Sequence, residues 1–115
     1  MKKRIRKKKL HQFLQEQIET IETTNEVSNA VKKNTKSLYE QLFKSDLIIS
    51  KLTIEDGCSS FSVNSKVSEY SPFDVIVSPS LIKFGYYFCG EFELRYKGSS
   101  NNIQGAVEFI KNYLK

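Results

Sequence analysis

The chain holds one histidine, two cysteines, two prolines, five glycines and no tryptophan in 115 residues. Each scarcity excludes something. Cys58 and Cys89 lie 31 residues apart with no CxxC spacing, and with a single imidazole they supply too few soft ligands for a tetrahedral metal site. They read as two reduced, partly buried thiols on strands. His11 sits on a stretch that begins polar, with no nucleophile and no orienting group at a spacing that would converge on it, so acid–base and nucleophilic catalysis lack their parts. No GxxxxGK[ST] and no GxGxxG after a strand is present, so no nucleotide cradle is signalled. The carboxylates Glu55, Asp56, Asp74, Glu91 and Glu93 fall in a turn and on strand faces, where solvated charge explains them better than a divalent-metal cluster. No catalytic residue, cofactor or metal is expected.

Long apolar runs are also missing. No window approaches the ~18 apolar residues of a membrane span, and Leu10–Gln17 is polar at every second or third place, unlike a secretory h-region. The chain is expected to have no membrane span and to be cytoplasmic. Low-complexity tracts and fixed-period repeats are absent, and the length allows one core and one domain, burying roughly two-thirds of the unfolded surface.

What is present in excess is positive charge at one end. Seven of the 18 Lys and Arg fall in residues 2–9, which leaves 11 basic against 13 acidic residues from Leu10 onward. The +5 of the whole chain therefore comes from its start, and the remainder carries −2. A helix over residues 2–9 would point charge in every direction and offer no face for packing. This segment reads as a basic flexible head, solvated or ordered by an anionic partner, on a single domain spanning 10–115.

The periodicity then changes. Leu10, Phe13, Leu14, Ile18 and Ile21 fall on one helical stripe. Thr23-Thr24-Asn25-Glu26 offers a capping box for a second helix running to about Lys44, with Val27, Val31, Leu38 and Leu42 buried. One continuous helix is the competing reading, because a seven-residue seam runs through Leu10, Leu14, Gln17, Ile21, Thr24, Ser28, Val31, Thr35, Leu38 and Leu42. Four of those ten positions are polar, which favours two helices over 10–44.

From Leu47 the period is two. Ile48, Leu52 and Ile54 alternate with polar residues, Glu55-Asp56-Gly57 supplies a turn, and Phe61 and Val63 alternate with serines. That serine-rich strand is expected at an edge or with one wet face. After a loop from Ser65 to Pro72, Phe73–Val77 reads as a short strand stopped by Ser78-Pro79-Ser80. The aromatic run Leu81–Cys89 follows. Gly90 is a turn or bulge, and Phe92, Leu94 and Tyr96 alternate with Glu91, Glu93, Arg95 and Lys97 as one apolar face. Beyond Gly98-Ser99-Ser100-Asn101-Asn102, a stripe of Ile103, Ala106, Val107, Ile110, Tyr113 and Leu114 marks a closing helix over 101–115. The expected class is α+β: one or two N-terminal helices, an antiparallel sheet of about four or five strands over 47–97, and a C-terminal helix packed on the sheet.

For function, the basic head is the leading signal. Lys2, Lys3, Arg4, Arg6, Lys7, Lys8 and Lys9 can neutralise phosphates without sequence preference, with counterion release giving a steep salt dependence. Lys32, Lys33 and Lys36 offer a smaller basic patch on the second helix. The partner expected from this charge is nucleic acid, RNA or DNA. Lys83-Phe84-Gly85-Tyr86-Tyr87-Phe88 has the flavour of an RNA-recognition-motif strand, but the order within it and the element order are wrong for that fold, so the run is assigned to the sheet core. A membrane-surface role for Ile5, Leu10, Phe13 and Leu14 is opposed by Glu16, Glu19 and Glu22.

The opening Met1-Lys2-Lys3-Arg4-Ile5-Arg6-Lys7-Lys8-Lys9 resembles the leaders of small proteins encoded by Gram-positive conjugative elements, plasmids and phages, among them anti-CRISPR inhibitors of Cas9. The resemblance covers about the first 15 residues. It implies a non-enzymatic anti-defence protein that binds a host nuclease such as Cas9, or its guide RNA, and blocks it stoichiometrically. The alternative is a nucleic-acid-binding regulatory protein that uses the basic head and forms a homodimer through its N-terminal helices.

Overall fold

The computed structural model describes residues 2–66 and 72–114, with side chains from Lys9 onward in the first of these segments. Its elements run α1 (Lys2–Thr23), α2 (Asn29–Lys44), β1 (Leu47–Ile49), β2 (Thr53–Glu55), β3 (Cys58–Ser65), β4 (Phe73–Val77), β5 (Leu81–Phe88), β6 (Glu91–Ser99) and α3 (Ile103–Tyr113). The fold is α+β, with two N-terminal helices, one C-terminal helix and an antiparallel sheet of six strands among the described residues. The backbone of α1 is helical from Lys2, so the segment read as a flexible head continues into the first helix. Most of the expected loop between Ser65 and Pro72 lies outside the described residues.

The helices break at the polar stretch where the sequence placed the break, but the cap of the second falls later than the capping box suggested. Thr23 is still in α1, and its hydroxyl donates back to the Glu19 carbonyl at 2.9 Å. Thr24 accepts from the N–H of Glu26 in a tight turn, and Ser28 caps α2, its hydroxyl accepting from the Val31 N–H. A Ser, Thr, Asp or Asn side chain at this position satisfies one of the amides that a helix start leaves without a partner, and Ser28 competes successfully for the role. At the other end of α2, Asp46 takes a positive φ of 63° directly after the C-cap Ser45, the turn that ends many helices.

The sheet has six strands because the run expected as one strand is two. Ser50 still holds β3, its N–H donating to the Ser62 carbonyl and its hydroxyl accepting from the Ser62 N–H. Lys51 and Leu52 then step off the ladder between β1 and β2, and both short strands pair with the same edge of β3. Leu52 is thereby carried into the core, where it is 8% exposed. The strand order is β1-β3-β4-β5-β6, so serine-rich β3 lies inside the sheet and not at its edge. Its alternation holds as expected: Ser59, Phe61 and Val63 are buried while Cys58, Ser60, Ser62 and Asn64 are not. Two-residue turns close the hairpins, Asp56-Gly57 and Cys89-Gly90, all four with positive φ, the geometry whose twist matches that of the strands.

All three helices lie on one side. Inward rows of the sheet bring Phe61, Val63, Val75, Val77, Ile82 and Phe84 against Val31, Leu38, Tyr39 and Leu42 of α2 and Ala106, Val107 and Ile110 of α3. Each buried Val, Leu, Ile or Phe among them is worth roughly 1.5–3 kcal/mol. Helix α1 lies against α2, burying Leu14, Ile18 and Ile21. Leu10, expected on the same stripe, is half exposed. Among the described residues no helix lies on the opposite face of the sheet.

Candidate nucleic-acid interface

The two basic groups singled out in the sequence stand at opposite ends of α1. Residues 2–9 form its start, and of their side chains only Lys9 is described, exposed. Lys32 and Lys36 are turned onto its end. Lys32 Nζ donates to the Glu22 carbonyl at 3.3 Å, and Lys36 Nζ pairs with Glu22 Oε1 at 2.9 Å. The hydrogen bond it donates to Glu22 holds the Lys36 ammonium above its ordinary pKa. Cations here answer the unpaired carbonyls and negative pole of a helix C-terminus. Of the trio only Lys33 is exposed, while Lys32 and Lys36 are half-buried. At 1.5 Å per residue, about 30 Å of helix separates Lys2 from Glu22, so the expected patch of Lys32, Lys33 and Lys36 does not extend the basic head.

The helix-free face of the sheet offers a second set of groups, apart from the basic runs singled out in the sequence. Strand β5 pairs with β6 so that Lys83 stands opposite Lys97, Phe84 opposite Tyr96, and then Gly85 opposite Leu94. Arg95 is thus an extra residue, a β-bulge. Residues opposite each other in an antiparallel pair share a face, and a bulge shifts that alternation by one. Beyond it, Leu94 and Phe92 move to the open face, although Tyr96 stays inside. The even spacing of Phe92, Leu94 and Tyr96 concealed this exchange.

Gly85 is where the bulge presses the strands together. A Cβ there would run into the backbone carbonyl of Glu93 and touch the Phe92 ring. With no side chain to cover it, Gly85 is roofed by Phe92, which in turn packs against Tyr87 with ring centroids 5.1 Å apart. Tyr87 remains 61% exposed and Leu94 44% exposed. The aromatic run is therefore only partly core: Phe84 is fully buried, Tyr86 is half-buried on the helix side, and Tyr87 and Phe88 face solvent. Base stacking, set aside in favour of the core for the whole run, has an exposed ring available in Tyr87.

On the helix side the bulge aims Arg95 at two phenols. Its guanidinium lies 4.8 Å from the centre of the Tyr86 ring, and it donates to Tyr86 Oη at 2.7 Å and to Tyr113 Oη at 3.1 Å. Those bonds occupy much of the fork. Lys83 and Lys97 have no such partners: the ion pairs among the described residues are Lys36 with Glu22 and Lys66 with Asp46. Asp74 lies on the open face in the row of Gly85 and Ser62, where partial burial pushes its carboxyl above the ordinary range.

His11 is exposed on α1, and Cys58 is half-buried on β3. Cys89, expected on a strand and partly buried, sits exposed in the β5–β6 turn with a φ of 52°. Among the described residues no three His, Cys, Asp or Glu side chains are grouped to hold a metal ion, and no helix is long and apolar enough to cross a membrane. No protein-family model, no curated protein and no solved structure matches the chain. The likeness to anti-defence leaders accordingly rests on the opening residues alone.

Proposed function

We propose that this chain is a nucleic-acid-binding protein that acts by occupancy and not by turnover. The observation that carries the reading is the concentration of seven basic residues in 2–9 at the start of α1, on a chain whose remaining residues carry net negative charge. Each phosphate that a Lys or Arg neutralises releases condensed counterions. Charge of this kind supplies affinity without selectivity; selectivity belongs to the folded body. In the anti-defence setting implied by the leader, the occupied target is a host nuclease or its guide RNA.

The test is binding of labelled RNA and DNA across a salt series. Seven contacts at 0.7–0.9 each give an expected log–log slope of about −5 to −6, collapsing when the lysines and arginines of 2–9 are replaced by Gln. Unaltered binding by that variant overturns the reading. For the anti-defence setting, the protein is mixed in molar excess with Cas9 and guide RNA. Absence of a complex together with undiminished DNA cleavage removes that setting and leaves nucleic-acid binding to be judged by the salt series.

A further inference from the structure

We infer that the helix-free face of the sheet is a second binding surface, selective for single-stranded nucleic acid, on which Tyr87 stacks a base while Lys83 and Lys97 hold the phosphate backbone. The inference rests on the nucleic-acid reading above but uses none of the residues that carry it.

Three observations converge. The first is the lysine pair. Like charges directly opposite across two strands destabilise a sheet, yet Lys83 faces Lys97 and no acidic side chain pairs with either among the described residues. Two cations held side by side without an internal partner suit an external anion. The second is the propped ring. Tyr87 is 61% exposed but is not loose: it leans on Phe92, which is itself laid over Gly85. A ring held in place at little further entropic cost is what a stacking platform requires, and every base has a π-face to offer it. The third is spacing. Tyr87 lies four residues along β5 from Lys83, about 13 Å at strand rise, so a strand of nucleic acid lying along β5 meets cations at one end and the ring at the other.

The remaining composition decides between partner classes. Protein interfaces deplete Lys and Ser at their cores, whereas on this face the two lysines stand in one row with Ile76 and Ser60, the next row adds Ser62, and the apolar groups Tyr87, Phe92 and Leu94 lie to one side. A duplex keeps its bases stacked within itself and gives Tyr87 nothing to stack on, while a single strand splays them out. Asp74, two positions from the lysine row, repels a phosphate and accepts from exocyclic amino groups in the manner of carboxylates that read cytosine. It therefore places base edges, not backbone, over β4.

The experiment uses the full-length chain with a labelled single-stranded RNA of mixed sequence and the duplex formed with its complement. Tyr87→Ala is expected to weaken single-strand binding about 5- to 150-fold, the loss of one stacked base, and to leave duplex binding unchanged. Lys83→Gln with Lys97→Gln is expected to reduce the single-strand salt slope by about 1.4. Gln in place of the basic residues of 2–9 weakens both ligands. The inference is overturned if Tyr87→Ala changes neither affinity or lowers both alike. That result, alongside a head variant that does lose binding, leaves the nucleic-acid reading standing. Failure of the unaltered protein to bind either ligand removes both. Because Tyr87 is exposed and Phe92 stays in place, circular dichroism and thermal unfolding of Tyr87→Ala are expected to match the parent.

Discussion

The side-chain oxygen of Gln17 accepts the backbone N–H of Leu52 at 2.9 Å, tying the middle of α1 to the point where the chain steps off the sheet between β1 and β2. Gln17 is 5% exposed and Leu52 8%, so no water replaces this bond at small cost. An amide N–H deprived of its partner inside a protein costs about 1–3 kcal/mol. Gln17→Leu, which keeps the volume and removes the acceptor, is expected to lower unfolding free energy by that amount in urea titrations. The loss should appear although Leu is the more hydrophobic residue.

Thr35 of α2 and Ser59 of β3 share a buried hydroxyl–hydroxyl bond, and both are 0% exposed. Removing one hydroxyl strands the other, whereas removing both leaves two apolar groups in contact. Thr35→Val and Ser59→Ala are each expected to cost about 1–3 kcal/mol, and the double substitution less than the sum. A double-mutant cycle should give a coupling of about 0.5–3 kcal/mol. Strict additivity would show that the two hydroxyls do not depend on each other.

These two bonds explain why the helices were only partly legible in the sequence. The seven-residue seam from Leu10 to Leu42 contains four polar positions, and they differ in kind. Thr24 and Ser28 mark the break, Ser28 as the cap of α2. Gln17 and Thr35 are core residues whose partners lie 35 and 24 residues away, and only the fold supplies them. The strands show the same division. Alternation correctly placed Phe61 and Val63 inward, because β3 keeps its pairing without interruption. It misplaced Phe92 and Leu94, because one extra residue at Arg95 exchanges faces without leaving a mark on the polar–apolar pattern. The strongest local hint was Gly85 amid bulky residues, since a glycine inside a strand often marks a bulge or a close approach of backbones. Lys32 and Lys36 read as surface charge because their partner, the end of α1, was not yet placed beside them.

Tyr39 ties stability to alkaline pH. Its phenol is 2% exposed and donates to the Ser50 carbonyl at 2.7 Å, and burial pushes its pKa well above the ordinary 10.0. Below pH 10 the group is protonated in both folded and unfolded chains and contributes no pH dependence. Above that value the unfolded chain releases the proton first, so stability falls as pH rises. Tyr39→Phe is expected to cost about 1–3 kcal/mol near neutrality, where it leaves the Ser50 carbonyl unbonded. The gap to the parent should narrow in urea titrations carried above pH 10, where only the parent has this phenol to lose.

The two basic groups should separate in a binding assay. Lys36 is committed to Glu22, and Lys32 to the Glu22 carbonyl, so Lys36→Gln and Lys32→Gln are expected to leave the salt slope for RNA or DNA unchanged. Gln in place of the seven basic residues of 2–9 should reduce that slope by about 5–6. A slope that falls by about 1 for each of Lys32 and Lys36 would instead place the phosphate path along α2.

Gly85 ties the integrity of the sheet to the make-up of its open face. The Cβ of an alanine there meets the Glu93 carbonyl, which the bulge fixes in place, and the Phe92 ring that roofs the position. A ring can tilt away, but a carbonyl held in a strand cannot without opening the pairing of β5 with β6. Gly85→Ala is expected to cost about 3 kcal/mol, as overpacking of a site that cannot relax does. It should also speed amide exchange at residues 92–95 more than in β3 or β4. The same change lifts Phe92 from beneath Tyr87, so it should weaken single-strand binding to about the extent of Tyr87→Ala while that variant keeps the parent's stability. The pair of results separates the ring from its support: equal losses of affinity with unequal losses of stability mean that Phe92 acts on the ligand by holding Tyr87.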